Sequence, residues 1–180
     1  MDVLWSLVVP VLVGYLIGSV AVGAWVIRAT SGFDPHEVNP HLLGVENVHR
    51  LLGGWVAALT FTLDVLKGVA GVAVGVFIGS FALHVARVMT GADAGGLAGW
   101  TWPSYAPGSL LAASGGGSAA VAVMAAAAVF GVLAGHLYPV RFGGRRVLRG
   151  RGNGVLLGGL TGLYIYGAAP FWLLAVPVVI

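Results

Sequence analysis

The sequence predicts an all-α, polytopic membrane helix bundle with about four transmembrane spans, and three observations predict it. Of its 180 residues, 58% are hydrophobic and only 8% are charged, against ~25% in soluble domains. The apolar runs each reach or exceed the ~20 residues that a helix needs to cross the hydrocarbon. No ten-residue stretch alternates as the strand of a membrane barrel does, so helices, which satisfy their backbone internally, are the spanning element. One integral membrane domain is expected over residues 1–180.

Val3 to Ile27 reads as the first span. Its only early charge is Asp2, without the basic start of a secretory leader, so a retained helix is expected. Gly14, Gly18 and Gly23 lie along it at spacings that permit close helix packing. Ser19 can bond its own helix backbone. Arg28 to Arg50 is a polar connection of mixed charge with three histidines, His36, His41 and His49. Their irregular spacing across Pro35 and Pro40 matches no metal-ligand pattern, so no metal is expected.

The second span falls near 55–83 and carries Asp64 and Lys67 inside it. At i, i+3 the two share a helix face and can neutralise one another. Charges in so apolar a run should face a bundle interior or the interface, either as a depth-fixing ion pair or as part of a site. His84 to Ser109 reads as a loop whose Trp100, Trp102 and Tyr105 anchor it at the membrane surface. The third span lies within 110–137 and ends in Gly135-His136. The fourth occupies 155–180, with Pro170 and Pro177 toward its far end.

Between the last two spans runs the most charged part of the chain. Five of the nine Lys and Arg residues, Arg141, Arg145, Arg146, Arg149 and Arg151, are set there among glycines. Glycines let successive backbone N–H groups turn toward one point, guanidinium groups grip phosphate oxygens, and the following helix start adds its positive end. The same loop is also a topology signal held on the cytoplasmic side, which by alternation places the Arg28 to Arg50 connection on that side and both termini opposite. The two polar loops thus share a face. The net charge of +3 comes mainly from this loop, and no aromatic-interleaved basic surface points to nucleic acid. The absence of cysteine excludes disulfides, thiolate metal sites and cysteine nucleophiles.

Four stretches together resemble the PlsY family of bacterial acyl-phosphate:glycerol-3-phosphate acyltransferases. Its GYLxGSxPxG helix is matched by Gly14-Tyr15-Leu16, Gly18-Ser19 and Gly23, with Ala21 in place of the proline. Of its DIRxxGSGNxGATNVxR loop, Asp34, Gly44, Asn47, Val48 and Arg50 match, while His36 replaces the arginine and Asn39-Pro40-His41-Leu42 replaces the GSGN core. LDxxKG is met in full by Leu63 to Gly68, and GHxxPVxF by Gly135-His136, Pro139-Val140 and Phe142. The glycine-rich KGGKGVAT loop is met only by Gly152-Asn153-Gly154-Val155, with Asn153 where the second lysine belongs. Family members continue through further spans, so the resemblance implies a C-terminally short member.

The resemblance implies acyl transfer from acyl phosphate to glycerol-3-phosphate, giving lysophosphatidic acid at the cytoplasmic leaflet of a bacterial inner membrane, without a cofactor. It implies catalytic roles for His136, Ser19 and Asn47. Substrate phosphate would be bound by Arg50, Lys67, Arg149, Arg151, Gly152, Asn153 and Gly154. His136 by residue type alone is equally a helix-end side chain bonded to a carbonyl. The alternative function is a non-catalytic membrane protein on the same scaffold that binds phospholipid or a partner helix. Transport is a third reading, without an inverted repeat to support it.

Overall fold

In a computed structural model, the described residues are 2–32, 45–92, 96–97, 116–139 and 152–166. They form six helices in chain order: α1 (Asp2–Gly18), α2 (Val22–Ser31), α3 (Val45–Leu52), α4 (Gly54–Met89), α5 (Gly116–Leu137) and α6 (Asn153–Ile165). No strand occurs among the described residues. Among the described residues, three helical segments are long and apolar enough to cross a membrane: Trp5–Ser31, Gly54–Met89 and Ala120–Leu137.

α4 is the central element, with α1, α5 and α6 packed along it and α1 in turn packed most extensively on α5. Its 36 residues make a rod of about 54 Å, well beyond the ~30 Å of hydrocarbon. Lipid supplies no hydrophobic force between helices, so close approach has to come from small side chains. On α1 and α5 these interlock. A Cβ on Gly14 or Gly18 would run into the backbone of Ala128 or Val132, and one on Gly131 or Gly135 into the carbonyls of Val11 or Tyr15. α6 repeats the device against α4, with Gly158 against the Val65 carbonyl and Gly162 against Val72. Val72, Val76, Met124 and Ala125 form the buried apolar centre, while Leu12, Leu16, Trp25 and Phe130 point outward.

The structure departs from the sequence reading in three places. The segment read as one helix over Val3 to Ile27 breaks between Gly18 and Val22. The polar connection contains α3, an eight-residue helix whose Val48 is buried with Ile27 of α2 and Ala57 of α4. α4 runs past Leu83 through His84 and Arg87 to Met89, because no proline or glycine interrupts Ser80–Met89. It stops at Gly91, whose φ of 72° suits a residue without a Cβ. There the N–H groups of Gly91 and Ala92 return to the carbonyls of Val88 and Arg87, closing the helix end. The third apolar segment contains α5, and α6 starts at Asn153, two residues before the fourth. Residues 110–115 and 167–180, and the Trp100 to Tyr105 cluster, lie outside the described residues.

Candidate active site at the break in the first apolar segment

The break between α1 and α2 is where polar chemistry collects. In an unbroken helix the carbonyls of Gly18 and Val20 would accept the N–H groups of Val22 and Ala24. Here Val22 N–H turns to the Val20 carbonyl at 3.0 Å and Ala24 N–H to the Ala21 carbonyl at 3.1 Å. Ser19 contributes locally, its Oγ donating to the Tyr15 carbonyl at 2.7 Å in competition with the backbone. The tight seat of Gly18 on Val132 fixes where α1 ends.

Lys67 of α4 reaches into this break. Its ammonium donates to the Gly18 carbonyl at 3.3 Å and to the Val20 carbonyl at 3.0 Å. It thereby serves the Gly18 carbonyl, whose helical partner Val22 N–H has turned away, and shares the Val20 carbonyl with that N–H, at the negative end of the α1 dipole. It also lies 2.9 Å from His136 Nδ1 at the end of α5, and 3.5 Å from Asp64 Oδ1 one turn back on α4. The side chains of Lys67 and Asp64 are only 5% and 11% exposed, so each charge depends on the other and on the break around it. The expectation that these charges face the bundle interior is met.

Beside this cluster opens a small cleft lined by Gly18 to Ala24, Asp64, His136 and Pro139. Its volume is about 20 Å³, room for a single oxygen atom with its hydrogens. Tyr15 pins the rim, its hydroxyl donating to the Tyr138 carbonyl at 2.8 Å and so tying α1 to the chain just after His136. The start of α6 closes another side. Gly152 is its N-cap with φ 78°, a left-handed position that brings its Cα close to the His136 ring; an added Cβ would stand 3.6 Å from Cδ2. A Cβ on Gly154 would stand 3.0 Å from the Cβ of Asp64.

The structure therefore gathers Ser19, Lys67, His136, Gly152 and Gly154 around one place, with Asn153 between the last two. It does not bring Asn47 and Arg50 there. Both lie on α3, neither lines the cleft, and exposed Arg50 pairs with Glu46 at 2.6 Å. Arg149 and Arg151 lie outside the described residues. Lys67, expected to hold phosphate, is turned inward onto carbonyls and His136. His136, at its helix end, is bonded to Lys67 and, among the described residues, to no carbonyl. Two participants were not marked as site residues by sequence reasoning: Asp64, and the backbone of the break itself. The signal available for the break was Gly18-Ser19 followed by a short small-residue run, which reads equally as helix.

The fold and this cleft define a multi-pass α-helical membrane protein built around an ion-paired, broken-helix centre. Comparison with known sequences narrows the class: a profile of the glycerol-3-phosphate acyltransferase family matches residues 8–180. The chain belongs to that family. A relative named glycerol-3-phosphate acyltransferase from Synechococcus sp. (strain JA-3-3Ab) is 35% identical over 130 residues, covering 71% of this chain and 62% of the relative. One of the same name from Rubrobacter xylanophilus is 39% identical over 98 residues, covering 54% of this chain and 47% of the relative. Another, from Synechococcus sp. (strain JA-2-3B'a(2-13)), is 43% identical over 70 residues, 39% of this chain and 35% of the relative. The chain thus spans between about a third and three fifths of the length of these relatives. No solved structure matches it significantly.

Proposed function

We propose that the protein transfers a fatty acyl group from acyl phosphate to glycerol-3-phosphate, producing lysophosphatidic acid for phospholipid synthesis at the cytoplasmic face of a bacterial inner membrane. The observation that carries this reading is convergence. Ser19, the Asp64–Lys67 pair, His136 and Gly152–Gly154 come from four separate stretches of a chain in this family and lie in or beside one cleft. An acyl phosphate is already activated, so the reaction needs no serine or cysteine nucleophile: the glycerol hydroxyl oxygen bonds the acyl carbonyl carbon, the carbonyl carbon–phosphate oxygen bond breaks, and the leaving phosphate takes up the hydroxyl proton. What the protein must supply is position and charge balance for two phosphates. In this reading Ser19 and His136 orient the reacting groups. The start of α6 at Gly152–Gly154, with Arg50, Arg149 and Arg151 on the same side of the membrane, holds phosphate.

The decisive experiment is an acyl-transfer assay with acyl phosphate and glycerol-3-phosphate on the purified protein, run beside complementation of cells lacking their own family member. Turnover is expected. A second reading, a non-catalytic protein that binds phospholipid or a partner helix, is favoured by Asn153 standing where the family lysine belongs. An ammonium is a point charge that a distant guanidinium does not replace. Salt-sensitive binding of glycerol-3-phosphate that weakens in Arg149→Ala or Arg151→Ala without turnover would establish the second reading; absence of both binding and turnover removes each. For the topology, cysteines placed at Glu46 and Arg146 should resist a membrane-impermeant thiol reagent in intact cells, and one at Asp93 should react. Labelling of the first two on opposite sides would separate the loops and end the shared-site argument.

A further inference from the structure

Tyr15 ties together two walls of the cleft without lining it. On the α1 side its carbonyl accepts two bonds from Ser19, from the backbone N–H at 2.9 Å and from Oγ at 2.7 Å. That carbonyl is also seated on Gly135, where an added Cβ would strike it. On the α5 side the Tyr15 hydroxyl donates to the Tyr138 carbonyl at 2.8 Å, across 123 positions of sequence. Ser19 lines one wall, and His136 and Pro139, on either side of Tyr138, line the other. The exit of α5 needs such a tie. Tyr138 N–H still closes the helix on the Ala134 carbonyl at 2.8 Å, but Pro139 has no N–H and disfavours a helical conformation for the residue before it. The Tyr138 carbonyl therefore lies past the last turn, where the helix offers it no donor. A tyrosine ring moves on two torsions, and the backbone beneath this one is fixed by the glycine seat, so the hydroxyl sets a distance between the walls.

We propose that Tyr15 is a positioning residue for acyl transfer: its carbonyl and its hydroxyl together hold Ser19 and His136 at the separation that the reacting groups require. This rests on the acyltransferase reading above. The His136 ring is held from its other side by Lys67 at 2.9 Å. Without the hydroxyl the ring thus keeps a partner, while the backbone that carries it is released toward Pro139. A displacement of about 1 Å there can lower a rate about a hundredfold. The bond itself is exposed and neutral, so it adds little to stability. Rate and stability should therefore separate when it is removed, which a plain cap on a helix end would not show.

The test uses the full chain in lipid nanodiscs and removes only the hydroxyl, by Tyr15→Phe, which keeps the ring and its packing. Per folded protein, kcat for transfer from acyl phosphate to glycerol-3-phosphate should fall about ten- to hundredfold. KM for either substrate should change by less than about threefold, because a residue outside the cleft loses no binding contact. Tyr15→4-aminophenylalanine, whose N–H donors reach the same carbonyl, should restore most of kcat. A second readout needs no turnover. Of the chain's five histidines, His136 is identified in ring nitrogen-15 spectra by the signals lost in His136→Gln. Those signals should shift or broaden in Tyr15→Phe and return with the amino analogue. Unchanged kcat would overturn the proposal and leave the bond as a helix-end cap. So would a rise in KM alone, or a loss of kcat that the amino analogue does not restore. Unmoved His136 signals would overturn the tie whether or not the protein turns over. Absence of turnover in the unaltered protein would instead end the acyltransferase reading, and with it the role in acyl transfer, so the two failures are told apart.

Discussion

Two stretches of α4, adjacent along one helix, are buried by opposite means. From Gly68 to Gly79 the helix offers glycines at every third or fourth place, and its neighbours come in on top of them: Gly159 of α6, Val132 of α5 and the ring of Pro10 of α1. From Asp64 to Lys67 it offers two charges, and its neighbours there are irregular: the ends of α1 and α5 and the start of α6. The first stretch gains contact area and meets no charged side chain at its glycines. The second is tolerable only because broken backbone and buried charge satisfy one another, since carbonyls without N–H partners need donors and an ammonium needs acceptors. A membrane bundle that packs by glycine can place its chemistry only where a helix stops, and Lys67 marks that boundary.

The comparison breaks most visibly at Lys67. Lys67→Met should cost about 3–5 kcal/mol, because Asp64 is left as an uncompensated buried charge, and Asp64→Asn/Lys67→Met should cost clearly less. Denaturation of the purified variants in detergent measures both. An equal loss would assign the cost to the uncapped carbonyl of Gly18 and not to the charge pair. The glycine stretch should be less sensitive. Gly68→Ala, whose new methyl meets the Val155 carbonyl, should cost about 1–3 kcal/mol by overpacking. Gly54→Ala, which meets only the His49 ring at 3.6 Å, should be neutral or slightly stabilising in the same assay. The smallest effect is expected at α3. The Arg50–Glu46 pair is largely exposed, so Arg50→Ala should change stability by less than about 0.5 kcal/mol while lowering acyl transfer if Arg50 holds phosphate. A stability loss well above that, with unchanged turnover, would make Arg50 a structural residue.

Helical class and membrane character were legible in the composition, because 8% charge leaves no soluble surface to build. The break after Gly18 was not. Gly-Ser-Val-Ala carries no proline, and its interruption depends on Lys67, 49 residues away in sequence, being there to take the carbonyls. α3 was illegible for a related reason: eight residues do not form a stable helix alone, and this one is held by Val48 against Ile27 and Ala57. At the site, residue types could be read and partners could not. Asp64 and Lys67 announced themselves as a pair by spacing alone. That Lys67 would turn from phosphate toward His136 requires knowing that α5 ends beside the break, which no local pattern states.

Lys67 is the chain's only lysine, and its side chain is 5% exposed. The protein therefore offers amine-directed reagents no accessible lysine while the break stays closed. Any motion that draws α2 away from α1 would release that amine from its two carbonyls and open it to modification. The rate at which a small amine-reactive probe labels position 67 thus reads the opening of this centre directly, without an introduced label, and protection of that amine by an added substrate would report occupancy of the site itself.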